Sequence, residues 1–308
     1  MGTDKPRIAI LMAVYEPRMD WLREQLLSLN AQTYPNLMLY VRDDYSPTVP
    51  YEEIERCVQE CITEFPFVMA RNEKNLGSNL TFEQLTREAE GEYFAYCDQD
   101  DVWLPEKLEV LERHFSADST MKLAYSDLSI INGEGEQIAA SICEVRPRTS
   151  YLFGSGLGER YFFRNSVAGC ALLIQAETAK SAIPFPSATV CDQWLTIVAA
   201  LSGSIALEKQ ALVQYRQHDR NQTGVLHGVI DKQSYQTQKI APLQERLEAY
   251  ERLGKPSREM QEFVRARMCG DVKSIFRYRA FSPYEAQFEI AMHFIPDWLA
   301  KKILRGLR

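Results

Sequence analysis

The sequence predicts an α/β fold built on a mostly parallel sheet, followed by a helical C-terminal extension. Three observations carry this expectation. Short apolar runs alternate with helix-period segments over the first two hundred residues, polar clusters punctuate the ends of the runs, and residues 230–308 contain no clear strand. The domain boundary falls after the last predicted strand, giving a first domain over 1–228 and a helical extension over 229–308.

Arg7–Val14 is the first strand; it has no small-residue cleavage site after it and ends in Glu16-Pro17, unlike a secretion signal. A helix follows over Met19–Asn30, with Leu22, Leu26 and Leu29 on one face. Leu37–Arg42 is a second strand stopping at Asp43-Asp44-Tyr45-Ser46-Pro47. A helix over Glu52–Glu64 leads to the strand Phe67–Ala70. The turn Asn75-Leu76-Gly77-Ser78 opens a helix to Glu90, with Ser78 or Asn79 as its cap. Tyr93–Cys97 is a strand ending in Asp98-Gln99-Asp100-Asp101, and Pro105 is expected as the first residue of a helix to Phe115. Leu123–Ser129, Val167–Ile174 and Ala211–Arg216 read as strands, and Cys191–Ser202 as a helix.

With 45% hydrophobic and 25% charged residues, the composition excludes a disordered, collagen-like or disulfide-dense chain. The seven cysteines form no CxxC pair, so free thiols in a reducing cytosol are expected. No apolar run reaches the roughly 18 residues that span a bilayer. Residues 1–230 carry 20 basic against 32 acidic side chains, and residues 231–308 carry 15 against 10. An acidic body with a basic tail argues against nucleic acid as a partner. In that tail Leu299, Ile303 and Leu307 recur every four residues, with Lys301, Lys302, Arg305 and Arg308 on the other side. Such a helix can lie on an anionic membrane or pack on the protein's own core.

Ligands of open α/β sheets bind beyond the carboxyl ends of the strands, and the polar clusters fall there. Asp98, Asp100 and Asp101 crowd three carboxylates into four residues, a hard-oxygen set suited to Mg²⁺ or Mn²⁺, or alternatively an acidic turn before a helix. Asp43-Asp44-Tyr45-Ser46 ends the second strand. Ala13-Val14-Tyr15-Glu16 ends the first and offers an aromatic ring, while Asn75 and Gly77 precede a helix N-terminus that favours phosphate. Asp192 is either a helix cap or a carboxylate base. His218 is either a contact to metal or diphosphate, or a surface side chain.

In this order the four clusters resemble the successive motifs of family 2 glycosyltransferases of the GT-A fold. The string Asp98-Gln99-Asp100-Asp101-Val102-Trp103, with Tyr215-Arg216-Gln217-His218 downstream, is particularly similar to the bacterial rhamnosyltransferase branch. Tyr45 departs from the family, which commonly has a small residue there. The resemblance implies that Ala13 and Tyr15 hold the nucleotide base, that Asp44 accepts from the base imide, and that Asp98 contacts the ribose or sugar. It implies a divalent metal on Asp100, with His218 nearby, and Asp192 as the general base. Independently of the resemblance, Gly169 is expected to line the acceptor pocket by allowing close backbone approach, and Trp194, just after the candidate base, is either a packing anchor or a platform for the acceptor sugar. The activity implied is inverting transfer of a sugar, L-rhamnose from dTDP-L-rhamnose, onto a cell-surface or lipid-linked glycan at the inner face of the membrane. A UDP-hexose donor, or a non-catalytic nucleotide-sugar-binding subunit, are the alternatives.

Overall fold

A computed structural model describes residues 5–146, 149–218 and 229–306. They form two compact units. The first comprises the chain to Leu157 with Ser166–Phe185 and Val190–His218; the second takes Gly158–Asn165, Pro186–Thr189 and the C-terminal residues. The second unit is therefore not a single C-terminal stretch.

Nine strands of the first unit form one sheet: β1 (Ile8–Val14), β2 (Leu37–Asp43), β3 (Phe67–Arg71), β4 (Tyr93–Cys97), β5 (Val102–Trp103), β6 (Met121–Ile131), β7 (Gln137–Ala139), β8 (Leu172–Gln175) and β9 (Ser204–Arg216). Their order is β3-β2-β1-β4-β8-β6-β9-β5, with β7 on β6. The longer ladders are parallel: β1 with β2 and β4, β2 with β3, and β6 with β9. Short β8 runs antiparallel between β4 and β6. Val14 pairs with Asp43 and Met12 with Cys97, so residues 15–16, 44–46 and 98–101 all leave the sheet at one edge. The central strands are buried on both faces, with Ile8, Ile10, Met12, Leu39, Val41 and Ala95 in the core. That explains their near-continuous apolar runs.

Several expectations are corrected. Pro105 does not begin a helix: Val102 and Trp103 pair with β9, Leu104 N–H donates to Leu212, and the helix starts only at Lys107. The strand expected over Val167–Ile174 is reduced to Leu172–Gln175, preceded by a 3₁₀ turn at Gly169–Ala171. The Cys170 carbonyl there accepts from Lys107 Nζ at 2.6 Å instead of joining a ladder. The last strand begins at Ser204, not Ala211, because polar Glu208, Lys209 and Gln210 interrupt its apolar pattern while β6 still pairs with it through bulges. The third helix starts at Ser78 with Gly77 as its cap, and neither Ser78 nor Asn79 caps it. Gly77 lies at φ 80°, in the left-handed region that glycine enters without penalty.

The second unit is helical, with Arg258–Cys269, Pro283–Phe294 and Asp297–Gly306 its best-formed C-terminal helices. An ion pair of Arg267 with Glu289, at 2.6 Å, lies buried within it. In the last helix Ala300 and Leu304 turn inward, whereas Ile303 is exposed. This corrects the expected Leu299–Ile303–Leu307 stripe; Leu307 and Arg308 lie outside the described residues. No helix among the described residues is long and apolar enough to cross a membrane.

Gly203 joins the helix Cys191–Ser202 to β9 at a close approach. A Cβ there would overlap the Thr120 carbonyl oxygen and come within 2.7 Å of Lys122 Cγ. Gly203→Ala is expected to cost about 1–3 kcal/mol, as overpacked sites do, read as a lower midpoint in urea unfolding.

Candidate active site

Interlocked turns build the site edge of the sheet. At the end of β1, Tyr15 N–H donates to Gln99 Oε1 at 2.8 Å, and Gln99 Nε2 donates back to the Tyr15 carbonyl at 3.1 Å. Gln99, between the two aspartates, therefore ties the β4 loop to the β1 loop. The buried carboxylate of Asp44 accepts from Asn72 Nδ2 at 2.7 Å, Leu76 N–H at 2.7 Å and Gly77 N–H at 2.8 Å. Those amides, expected to be open to phosphate beside Asn75 and Gly77, are committed to Asp44. About four lone-pair directions on a carboxylate leave one for a ligand. Asn75 is exposed, and Ala13 and Gly77 are half-buried.

The acidic loop itself is held from below. Arg216 N–H donates to Asp101 Oδ1 at 3.0 Å, and its Nε donates to the Asp100 carbonyl at 2.8 Å. Its guanidinium also bonds the carbonyls of Asn132 and Gly133 and pairs with Glu24. Lys107 is fully buried, with Nζ 2.9 Å from the centre of the Trp103 ring. Burial pulls this lysine down to about 7. Burial also pushes Asp98 well above the ordinary carboxyl range, helped by the charges of Asp101, Asp100 and Asp192 and opposed by Lys107. Asp101 is pushed up to about 7, again chiefly by burial. Its Oδ2 is buried without a hydrogen-bond partner by geometry. Sequence reasoning left Lys107 unassigned, although a signal existed: it shares a helix face with Leu111 and Phe115, four and eight residues on.

Ligand atoms of Asp98, Asp101 and Cys170 lie within 4.8 Å of one another. Asp100, assigned with His218 to a metal, meets His218 Nε2 at 2.8 Å. A hard divalent cation fits this carboxylate cluster, whose mutual repulsion and orphaned Asp101 oxygen call for positive charge. Cys170 is a poor ligand for such an ion, since burial pushes its thiol well above its usual value and keeps it protonated.

Asp192 stands in the first turn of the helix Cys191–Ser202, whose cap is Val190. Its carboxyl accepts from Gln193 N–H at 2.5 Å and from the Gly169 amide. Burial nonetheless raises it to about 6. Its charge reaches Asp98, so the two carboxyls share one electrostatic neighbourhood. Gly169 sits against it: a Cβ there would lie 3.6 Å from Asp192 Cβ. Trp194 does not border a ligand. Its side chain is only 1% exposed and its Nε1–H donates to the Ala182 carbonyl at 2.7 Å, so it is a packing anchor.

The fold is thus a GT-A-like α/β architecture with an acidic strand-end site. Residues 9–129 match the family model described as Glycosyl transferase family 2. An uncharacterized glycosyltransferase, MJ1057, of Methanocaldococcus jannaschii is 28% identical over 132 residues, covering 43% of this chain and 45% of the relative. The putative colanic acid biosynthesis glycosyl transferase WcaA of Escherichia coli K12 is 26% identical over 164 residues, covering 52% and 54%. The matched region spans about half the length of both relatives. Among solved structures, S. aureus TarS superposes with a TM-score of 0.58 at 16% identity, covering 90% of this chain and 55% of TarS. TarS 1–349 in complex with UDP-GlcNAc gives 0.56 at 14% identity, covering 92% and 84%. At such identities the structural likeness establishes the fold.

Asp44→Ala removes the acceptor for three donors around the 72–77 turn. The expected loss is about 1–3 kcal/mol of stability from the stranded donors, read as a lower midpoint in thermal unfolding.

Proposed function

We propose that the chain is an inverting glycosyltransferase using a nucleoside-diphosphate sugar, with Asp192 as the general base. The observation that carries the reading is a half-buried carboxyl raised to about 6, in electrostatic reach of a carboxylate cluster at the strand-end edge. With that value Asp192 is about nine-tenths ionised at pH 7 yet more basic than an ordinary aspartate. It takes the acceptor hydroxyl proton while the acceptor oxygen bonds to the anomeric carbon and the bond from that carbon to the diphosphate breaks. Attack opposite the leaving group inverts the anomeric centre. Asp98 and Asp100 would hold a Mg²⁺ or Mn²⁺ ion with His218 beside them, and that ion would offset the charge gathered by the departing diphosphate. Tyr15, Ala13 and Asp44 would meet the base, Asn75 and Gly77 would border the diphosphate, and Gly169 would leave room for the acceptor backbone or sugar.

The rhamnosyltransferase-like strings around Asp98 and His218 favour dTDP-L-rhamnose as donor. A UDP-sugar is favoured instead by the likeness to TarS, which binds UDP-GlcNAc. A donor-hydrolysis screen with dTDP-L-rhamnose and UDP-hexoses separates them; no turnover of dTDP-L-rhamnose removes the rhamnose assignment. kcat/KM is expected to fall about tenfold per pH unit below about 6, as Asp192 gains its proton. Asp192→Asn should cut transfer by roughly 10²–10⁴-fold without weakening nucleotide binding. Unchanged transfer would remove Asp192 as the base, and a wild-type chain that binds nucleotide sugar without transferring it would favour the binding-subunit alternative.

We further place the acceptor on a lipid carrier at the cytoplasmic face, a reading supported by the second unit. Phe294 and Trp298 are 72% and 68% exposed, and Lys301 and Lys302 on the helix of Trp298 are exposed as well. Aromatic side chains beside lysines suit the interface of an anionic bilayer. Trp21, Trp103 and Trp194 are buried, so changes in tryptophan emission report chiefly on Trp298. Vesicles containing phosphatidylglycerol should shift the emission to the blue and phosphatidylcholine vesicles should not; no shift with either removes the membrane contact.

A further inference from the structure

We infer that the Tyr45 side chain is a stacking platform for the nucleobase of the donor, which deepens the transferase reading and rests on it. Glu16 and Tyr45, at φ 45° and 63°, are the two non-glycine residues with positive φ among the described residues. Both stand at the site edge, on neighbouring loops. Asp44 N–H donates to the Val14 carbonyl at 2.7 Å, and Glu16 N–H donates to Ser46 Oγ at 2.9 Å. A bulky residue in the left-handed region is strained, and such strain gathers at functional sites. Glycine or asparagine would fill this position more easily.

Core packing does not account for the tyrosine, because it remains 46% exposed. Its ring is nevertheless braced. The Arg71 guanidinium lies over it, 4.9 Å from the ring centre. Arg71 is fixed in turn by Asp43 at 3.0 Å and by the Ser46 carbonyl at 2.8 Å. At the end of β1, Tyr15 offers a second ring, 44% exposed. β1 is the strand from which the sheet grows both ways, toward β2 and toward β4, and ligands of open α/β sheets settle at such a switch point. A rigid, water-facing aromatic ring held there at conformational expense matches a flat, uncharged heterocycle such as uracil or thymine.

The test compares wild type, Tyr45→Asn and Tyr45→Phe by calorimetric titration with UDP, dTDP and inorganic pyrophosphate, each with Mn²⁺. Asparagine tolerates the left-handed backbone, so Tyr45→Asn removes the ring while sparing the turn. It should bind UDP or dTDP about five- to 150-fold more weakly, the range for losing one base–aromatic stack, and should bind pyrophosphate as wild type does. Tyr45→Phe should bind like wild type. Equal nucleotide affinity in Tyr45→Asn overturns the inference, as does an equal loss for pyrophosphate, which would mark a collapsed turn. A wild-type chain that binds neither nucleotide overturns the transferase reading, and the stacking role with it.

Discussion

Three carboxyls stand within four residues at the end of β4, Asp101 buried and Asp98 and Asp100 half-buried, and holding them together is the constraint on which the rest of the first unit depends. Like charges in a poorly solvated place drive one another toward protonation, as the raised values of Asp98 and Asp101 record. The fold answers with two buried basic side chains. Arg216 clamps the loop through main-chain and side-chain donors, and Lys107 lies beneath it against Trp103. Neither forms a simple ion pair with the aspartates. Arg216 satisfies the loop's acceptors while leaving the carboxyls of Asp98 and Asp100 toward the edge, a balance between neutralising the cluster and keeping it available.

That clamp explains the unusual course of the sheet. The loop 98–101 carries the chain from β4 to β5, which pairs with β9 at the far end of the strand order. Arg216 is the last residue of β9, so one residue, through its main-chain N–H and its Nε, fastens the β9 end of the sheet to the acidic loop that leaves β4. The neighbouring turns are linked by the same means, Gln99 to Tyr15 and Asp44 to the 76–77 amides. Each link lowers the freedom of a loop before any ligand arrives, which is how a site on loops acquires the rigidity that binding and catalysis need.

The parallel half of the fold was legible because its signals are local. β1, β2 and β4 are short apolar runs closed by polar residues, and the helices Met19–Asn30 and Cys191–Ser202 were read to the residue. The other half was legible only in part. Leu123–Ser129 falls within β6 and Ala211–Arg216 within β9, but β5 is two residues long, β8 four, and the first part of β9 is polar. In the site, carboxylates at strand ends drew attention by type, as did His218 beside Asp100. For Trp194, next to the candidate base, a packing anchor and a sugar platform were both open from sequence, and its burial with Nε1–H bonded to Ala182 decides for the anchor.

By itself the amino-acid order determined the α/β class, the edge at which polar residues collect and the helical character of the C-terminal part. Periodicity and strand-end chemistry depend on neighbours a few residues apart. Tertiary structure alone decided which polar groups meet. The Arg216 N–H and the Asp101 carboxylate are separated by 115 residues, and the Lys107 ammonium and the Cys170 carbonyl by 63. No local pattern encodes such pairs, because their energies arise only when the sheet closes and water leaves.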